Sequence, residues 1–182
     1  MTPDLDLAYR LAMGDGAATA VFAYCRTGLH ETVGSLLTTA SIYDLPQMRS
    51  RRVWTDDATA YPTGNFKRLD RNRYFETVIE GRQPFSSTTI EEIATVFFDW
   101  KKIQALGFES NLNLPAVADG RVIGTINLLH RKGHFTAERV ELALRWQPVA
   151  TLAFLLLDLA GAEHATFHRD GQATGAAPAI EG

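Results

Sequence analysis

The chain has 182 residues with 46% hydrophobic and 21% charged side chains, a composition typical of one globular domain with a single core. The formal net charge is −3, which provides no long-range field for phosphate backbones, so nucleic acid is not an expected partner. The only cysteine, Cys25, excludes an intramolecular disulfide and a cysteine-based zinc site, and suits a reducing compartment.

The two ends of the chain carry few structural signals. The first residues lack a basic segment followed by an apolar run, which predicts no signal peptide and a cytoplasmic protein. The most apolar run, residues 149–157, is too short to cross a bilayer, so no membrane is expected. Residues 1–161 are predicted to form one domain, with a core at about 17–159, and residues 162–182 a flexible tail.

Two short helices are predicted first. Asp4 and Asp6 open a helix over residues 5–13, because acidic side chains stabilise a helix N-terminus. A second helix over residues 17–27 has an apolar stripe that includes Cys25. No nearby His or Asp suggests activation of this thiol, so we expect Cys25 to be a small buried residue and not a nucleophile.

A first β-hairpin is predicted from residues 32–43 and 48–55, joined by a turn at Pro46. Strict alternation along its second strand would place Arg52 and Trp54 on one face. A long connection over residues 56–70 follows and carries Tyr61 and Lys67; loops of this length often form lids.

The middle of the chain is predicted to be mostly helical. A helix over residues 73–81 ends at a glycine, and a short strand follows over residues 83–88. Residues 90–98 and 99–106 are predicted to form helices or broken helical turns that carry large apolar side chains.

The second hairpin is the strongest pattern in the sequence. The dipeptide Asp119–Gly120 favours the positive backbone torsions of a two-residue turn. The strand before the turn carries Asn111 and Asn113, and the strand after it carries Asn127. Alternation places these three amides on the same face. Short uncharged amides indicate the floor of a pocket, although they could equally close turns or satisfy edge backbone groups.

A long C-terminal helix is predicted from Thr136, with a kink where Pro148 removes a backbone donor. Residues 152–159 are apolar on nearly every side, which is more than one sheet can bury. A second helical surface is therefore required, either the N-terminal helices or those of a partner subunit, and we expect a homodimer through the terminal helices.

This order of elements, over roughly residues 17–159, resembles the GAF domain family. The resemblance is sharpest where residues 106–115 read Leu-Gly-Phe-Glu-Ser-Asn-Leu-Asn-Leu-Pro, and it continues over residues 120–129, which are similar to the family's closing hairpin with glycines at positions 120 and 124. The segment Phe135-Thr136 with Glu138 is similar to the end of the family pattern. It implies an α+β fold: a central antiparallel sheet with the terminal helices on one face and a small-molecule pocket under loops and short helices on the other.

The resemblance also implies the residues of that pocket. Its floor would include Asn113 and Asn127, with Asn111 on the same face, and Tyr61, Lys67 and Tyr74 would lie at its rim. Together with the second strand and the lid, the predicted ligand-binding residues are Arg52, Trp54, Tyr61, Lys67, Tyr74, Phe98, Asp99, Ile103, Asn111, Asn113 and Asn127.

GAF domains are best known as sensory modules for small ligands, and a basic residue among aromatics would suit a small aromatic or heterocyclic acid. No cofactor is expected. The family's free methionine sulfoxide reductases use several cysteines, and the signature of cyclic-nucleotide-binding members is missing. Two alternatives stay open: a dimeric scaffold without a ligand, and an enzyme whose weak catalytic candidates are Asp99, Lys67, Tyr61 and His130.

A metal site is not expected. His130 and His134 stand four residues apart but span a glycine turn, and His164 and His168 lie in the tail. Neither pair has a third ligand nearby in the sequence.

Overall fold

The computed structural model describes residues 1–161 and 180–181. Its helices are α1 (Leu5–Ala12), α2 (Ala17–Val33), a π-helical segment (Phe75–Glu80), α3 (Ile90–Ala94), α4 (Trp100–Ala105), α5 (Ala137–Leu144) and α6 (Gln147–Leu159). Its strands are β1 (Leu37–Asp44), β2 (Arg49–Thr55), β3 (Phe66–Arg68), β4 (Phe85–Ser87), β5 (Ser110–Ala118), β6 (Arg121–His130) and β7 (Ile180–Glu181). The predicted α+β class is confirmed.

The strands form one sheet in the order β4-β5-β6-β1-β2-β3-β7. Every neighbouring pair is antiparallel except the last, where β7 runs parallel to β3 and Ile180 pairs with Phe66. The flexible-tail prediction for the rest of the C-terminus falls on residues 162–179 and 182, outside the described residues.

The β5–β6 hairpin agrees with its prediction. Asp119 and Gly120 have φ of 48° and 69°, and these positive values define the turn that the dipeptide favours. Leu112 pairs with Leu128 and Leu114 with Ile126, and all four side chains lie in the core between the sheet and the terminal helices. The amide-bearing face is therefore on the opposite side.

The first hairpin contains a β-bulge that strict alternation does not anticipate. Ala40 pairs with Trp54 and Ser41 with Arg52, so Val53 is an extra residue between these two pairs. The extra residue interrupts the alternation, so Arg52 and Trp54, which are two positions apart, lie on opposite faces of the sheet. Arg52 faces away from the terminal helices, whereas Trp54 stacks on Phe22 of α2 with ring centroids 6.1 Å apart. The prediction that Arg52 and Trp54 share a face is wrong.

The core on the helical side is closed by α2, α5 and α6. Trp146 is fully buried between α5 and α6, and its indole Nε1 donates to Thr32 Oγ1 at 3.0 Å. The ring lies against Gly28 of α2, where a side chain would overlap it. The apolar face of the C-terminal helices is thus covered largely by the N-terminal helices of the same chain.

The predicted long C-terminal helix is two helices with a 52° bend between them. The break falls at Arg145 and Trp146, and Pro148 lies in the first turn of α6. Proline fits a first turn because the N–H that it lacks has no intrahelical partner there. Among the described residues no single helix has the length and apolarity of a membrane span, and α5 with α6 meets that test only as a bent pair.

Several element boundaries differ from the sequence prediction. Helix α2 continues to Val33, six residues past its predicted end, and stops at Gly34, whose φ is 74°. Strand β1 consequently begins at Leu37. The β-branched residues at the end of α2 favour strands by propensity, but burial of Val33 against the core stabilises the helix. The helical lid is also shorter than predicted, with α3 and α4 separated by residues 95–99.

Candidate functional site

A cavity of about 110 Å³ lies on the side of the sheet away from the terminal helices. Strands β1, β2, β5 and β6 form its floor, and residues 67–74 and 96–103 cover it. Ten of the eleven predicted ligand-binding residues line this cavity: Arg52, Tyr61, Lys67, Tyr74, Phe98, Asp99, Ile103, Asn111, Asn113 and Asn127. Trp54 does not, because of the bulge in β2. Ligand binding by these side chains stays a prediction.

The floor carries a continuous ladder of hydrogen bonds across three strands. Asn111 Nδ2 donates to Asn113 Oδ1 at 2.6 Å, and Asn113 Nδ2 donates to Asn127 Oδ1 at 2.8 Å. Asn127 Nδ2 then donates to Thr39 Oγ1 at 3.3 Å and to Ser41 Oγ at 3.2 Å. We call Asn111, Asn113 and Asn127 the amide ladder. Each amide of the ladder is hydrogen-bonded to the next, and these bonds fix the side-chain orientations on the cavity floor.

One end of the amide ladder is incomplete. Asn111 is only 2% exposed, and its Oδ1 has no hydrogen-bond partner among the described residues. A buried carbonyl oxygen without a partner has a free-energy cost of about 1–3 kcal/mol. Asn111 is part of the cavity lining, where a ligand could supply the missing donor.

A second polar group consists of two tyrosines of the lining, Tyr43 and Tyr74, and the buried Thr125. Tyr43 Oη bonds to Tyr74 Oη and, at 2.7 Å, to Thr125 Oγ1. Burial raises the pKa of Tyr43 well above its usual value, and the adjacent Tyr74 adds to this shift. Burial also raises the pKa of Tyr74. Both phenols therefore stay neutral and act as hydrogen-bonding groups.

The covering residues hold a cation over aromatic rings. Lys67 Nζ forms an ion pair with Asp99 Oδ1 at 2.7 Å and lies 5.1 Å from the Phe97 ring centroid and 5.2 Å from that of Phe98. Asp99 and Lys67, which are both weak catalytic candidates, thus engage each other. The pair connects β3 to the start of α4 and closes this side of the cavity.

Tyr61 lies in the wall of the cavity and is only 5% exposed, although it was predicted at the rim. The Arg52 guanidinium carbon is 4.6 Å from its ring centroid, and the Lys102 ammonium is 4.9 Å from it. Arg52 Nη1 also donates to the Pro62 carbonyl at 2.7 Å. The Tyr61 ring, which contacts both cations, therefore connects the long loop to β2 and α4. Tyr74, also predicted at the rim, is likewise buried.

The charged side chains in the lining do not balance. Three are cationic and two are acidic, so the lining has a net charge of +1: Arg52, Lys67, Arg68, Asp70 and Asp99. Lys67 pairs with Asp99, and Arg68 pairs with Asp70 at 2.9 Å on the exposed rim. Arg52, the third cation, lies against the Tyr61 ring and donates to the Pro62 carbonyl.

His130 lies outside the cavity lining, on the helical face that strand alternation predicts. Its ring stacks on His134 with centroids 3.3 Å apart. His134 accepts from Arg139 at Nδ1 and therefore donates from Nε2 to the Val33 carbonyl, 2.7 Å away. These contacts hold both rings in position at the end of β6.

The His130 stack makes stability depend on pH. Burial lowers the pKa of His130 to about 4, and nearby groups add to this: His134, Arg139, Arg131 and His30. The folded-state pKa is below the unfolded value near 6.5, so the unfolded chain binds more protons between these pH values. Stability is complete above pH ~6.5 and falls as pH drops towards ~4.

We expect His130→Phe, which keeps a ring against His134, to reduce this acid sensitivity. Urea unfolding at several pH values should give a shallower rise of unfolding free energy with pH for the variant than for the parent. His134, whose pKa burial also lowers, should retain part of the slope. Equal slopes in the two proteins would contradict the assignment.

Cys25 is buried on α2, as predicted, and burial raises the pKa of its thiol to about 12. The thiolate fraction is then about a thousandfold lower than for an ordinary exposed thiol. We expect an aromatic disulfide reagent to label Cys25 only after urea unfolding. Rapid labelling of the folded protein, at the rate seen for free cysteine, would show that this helix opens readily.

The described residues contain no group of three or more His, Cys, Asp or Glu side chains arranged to hold a metal ion. His164 and His168 lie outside the described residues.

Sequence reasoning missed the contribution of β1 to the cavity. Thr39, Ser41 and Tyr43 alternate with the core residues Ala40 and Ile42, and all three line the cavity. This period of two was the available signal. The pattern did not distinguish a cavity from an ordinary strand, because hydroxyl-bearing side chains are common in strands.

Comparisons with known proteins identify one matching family and several solved structures with a similar fold. The family model described as GAF domain matches residues 15–146. A comparison with curated proteins found no match. The GAF domain of a two-component sensor histidine kinase from Bacillus halodurans superposes with a TM-score of 0.63 at 10% identity, covering 78% of this chain and 95% of that one.

Two further solved structures share this fold. The GAF domain/HD domain protein from Geobacter sulfurreducens has a TM-score of 0.61 at 14% identity, covering 79% of this chain and 94% of that one. The free methionine-R-sulfoxide reductase from Neisseria meningitidis, solved with its substrate, has a TM-score of 0.58 at 14% identity, covering 84% and 86%. The family match spans well over half of the chain and includes every strand of the cavity floor, so this protein belongs to the GAF domain family of sensory and ligand-binding modules.

Proposed function

We propose that this protein is a sensor or regulator that binds a small aromatic or heterocyclic acid in the cavity. The observation that carries the proposal is a lining in which cationic side chains and aromatic rings lie together among aliphatic and neutral polar groups. A carboxylate can bond to a cation of the lining, and a planar ring packs between Tyr61 and the lid aromatics. The volume of about 110 Å³ is below the roughly 300–1,000 Å³ of pockets for drug-sized molecules, so the ligand is small.

We also propose that two copies associate through their terminal helices. Helix α1 exposes Leu5, Tyr9 and Met13 by 64–66%, at a spacing of four residues that puts them in one stripe. Helix α6 exposes Leu155 and Leu159 by 46% and 82% at the same spacing. A second copy would cover these side chains, and sedimentation of Leu159→Glu against the parent protein tests it. A monomeric parent protein would contradict the proposal.

The ligand proposal is tested first by comparing native and denaturing mass spectra of freshly purified protein. A small molecule released on denaturation identifies the ligand class directly. Adding it back at about a hundred times its Kd should stabilise the protein by ~2.7 kcal/mol. If no mass is released, benzoate and indole carboxylates are the probes, with binding measured by calorimetry.

Arg52→Met provides the matched test of charge. Arg52 lines the cavity and is the proposed partner of the carboxylate, so its loss removes one charge-assisted hydrogen bond and should weaken acid binding about tenfold or more. The control is Arg26→Met, which removes a half-buried cation paired with Asp56 at 2.9 Å outside the cavity lining. Equal affinities in Arg52→Met and the parent protein would overturn the anionic ligand. Conversion of a bound acid to product in the same samples would instead favour an enzyme.

A further inference from the structure

A groove of about 1130 Å³ lies at the end of the sheet where its two hairpins turn. The β1–β2 turn, the β5–β6 turn, the π-helical segment and the end of α6 surround it, and we call it the hairpin groove. Its apolar lining includes Ile42, Leu45, Ile79, Ile123, Leu155 and Leu157. The groove is larger than the roughly 300–1,000 Å³ of a pocket for a drug-sized molecule, so its size suits part of a macromolecule.

The walls of the hairpin groove are held in place. Arg49 pairs with Asp44 at 2.8 Å across the first turn, and Arg82 donates to the Gly120 carbonyl of the second turn at 2.8 Å. Met48 and Arg82 have positive φ of 48° and 57°, which is unfavourable for residues other than glycine. Such strain persists where the surrounding structure holds it, often at sites of function. The hairpin groove is therefore a preformed surface.

Helix α1 carries an apolar surface of the kind that enters such a groove. Its stripe consists of Leu5, Tyr9 and Met13, which are 64–66% exposed and four residues apart. Helices that bind in apolar grooves use anchors at this spacing. Helix α1 is held on α2, where Tyr24 Oη accepts from the backbone N–H of Asp4 at 2.7 Å. The stripe thus faces away from its own chain and is open to another molecule.

The charges beside these two surfaces are complementary. Asp6 and Arg10 lie along one edge of the stripe, about 6 Å apart along the helix axis. Asp119 and Arg121 are two residues apart in the β5–β6 turn, at the rim of the hairpin groove. All four side chains are exposed and form no ion pair among the described residues. Each surface therefore presents one carboxylate and one guanidinium, close together and unmatched.

We propose that α1 of a second copy lies in the hairpin groove, with its stripe on the apolar lining, Asp6 against Arg121 and Arg10 against Asp119. This inference rests on the proposed association through the terminal helices and specifies its interface. One chain carries both surfaces, so a second copy satisfies them all. The two surfaces adjoin, because α1 contacts α6 and Leu155 of α6 lines the groove. Two copies then exchange α1 reciprocally and form a closed dimer.

Leu45→Glu tests the groove, with sedimentation equilibrium of the full chain as the measurement. Leu45 lines the hairpin groove and is 40% exposed. The stripe of the second copy would bury the new carboxylate without a partner, so the dissociation constant of the dimer should rise about tenfold or more. The control is Leu106→Glu, which is also 40% exposed but lies outside the groove lining. It should keep the dissociation constant of the parent protein.

Asp6→Arg and Arg121→Asp test the charge pairing without changing the apolar surfaces. Each substitution alone brings like charges together in both halves of a symmetric dimer, so it should weaken association about fivefold or more. A chain with both substitutions has opposite charges again and should associate nearly as tightly as the parent protein. Both positions are exposed, so this test remains if Leu45→Glu does not fold.

The outcomes separate this inference from the association on which it rests. A dimer that Leu159→Glu weakens and Leu45→Glu does not overturns the hairpin groove as the site and leaves the terminal-helix association standing. A monomeric parent protein overturns both. A double variant that associates no more tightly than the single variants overturns the placement of α1.

Discussion

Gly28→Ala is expected to reduce the free energy of unfolding by about 2–4 kcal/mol, although it adds a single methyl group. A Cβ at this position would lie 1.8, 1.9 and 2.3 Å from three atoms of the Trp146 ring. Neither side can yield easily. Gly28 is within helix α2, and Trp146 is fully buried with its indole nitrogen bonded to Thr32. Urea unfolding followed by tryptophan fluorescence measures the loss.

Two further variants show whether the cause is this contact. Gly14→Ala is the control, because its Cβ would meet nothing nearer than the Leu11 carbonyl at 3.7 Å, and it should change stability by less than about 0.5 kcal/mol. Trp146→Phe removes the ring edge that faces Gly28. Gly28→Ala should therefore cost at least ~1 kcal/mol less in that background than in the parent protein. Equal costs in both backgrounds would contradict the overlap as the cause.

Local sequence chemistry was sufficient to predict the β5–β6 hairpin and its two faces. The turn needs positive φ at two consecutive residues, and Asp119–Gly120 supplies them. From that fixed turn, alternation assigns Leu112 and Leu114 to the core and Asn111 and Asn113 to the cavity. The amides of the candidate site were predictable because they follow from register alone.

The same reasoning failed at Trp54 because a β-bulge leaves no clear local signal. Val53 is as suitable for a regular strand as for a bulge, and only the pairing with β1 shows that it is an extra residue. The position of Trp54 depends on its packing against Phe22 of helix α2, which is distant in the sequence. The extension of α2 to Val33 has the same kind of cause, since tertiary burial overrides the strand propensity of its last residues.

Contacts between distant side chains were beyond sequence reasoning. The loop residue Lys67 and the helix-capping position Asp99 were separate candidates in the sequence, and the fold makes them an ion pair. Likewise, the three amides were predicted to share a face, but the hydrogen bonds that join them depend on their geometry in the folded sheet. The lining could be predicted in large part, whereas the chemistry of its groups required their mutual geometry.

Asn113→Leu is expected to destabilise the protein by about 2–4 kcal/mol, because it removes the middle of the amide ladder. Asn111 Nδ2 loses its acceptor and Asn127 Oδ1 loses its donor. Asn111 is 2% exposed, so its amide cannot turn to bulk solvent for a new partner. Urea unfolding of the variant and the parent protein gives the difference in unfolding free energy.

The variant with leucine at Asn111, Asn113 and Asn127 together is the decisive comparison. Removing all the partners leaves far fewer unpaired groups, so this protein should be more stable than the single variant Asn113→Leu and within about 1–2 kcal/mol of the parent protein. It should also bind the acid probes more weakly than the parent protein does. If the triple variant is instead the least stable of the three proteins, the ladder is a structural support in its own right. Recovery of stability together with weaker binding of the acid probes would show that the polar floor is retained for binding and not for stability.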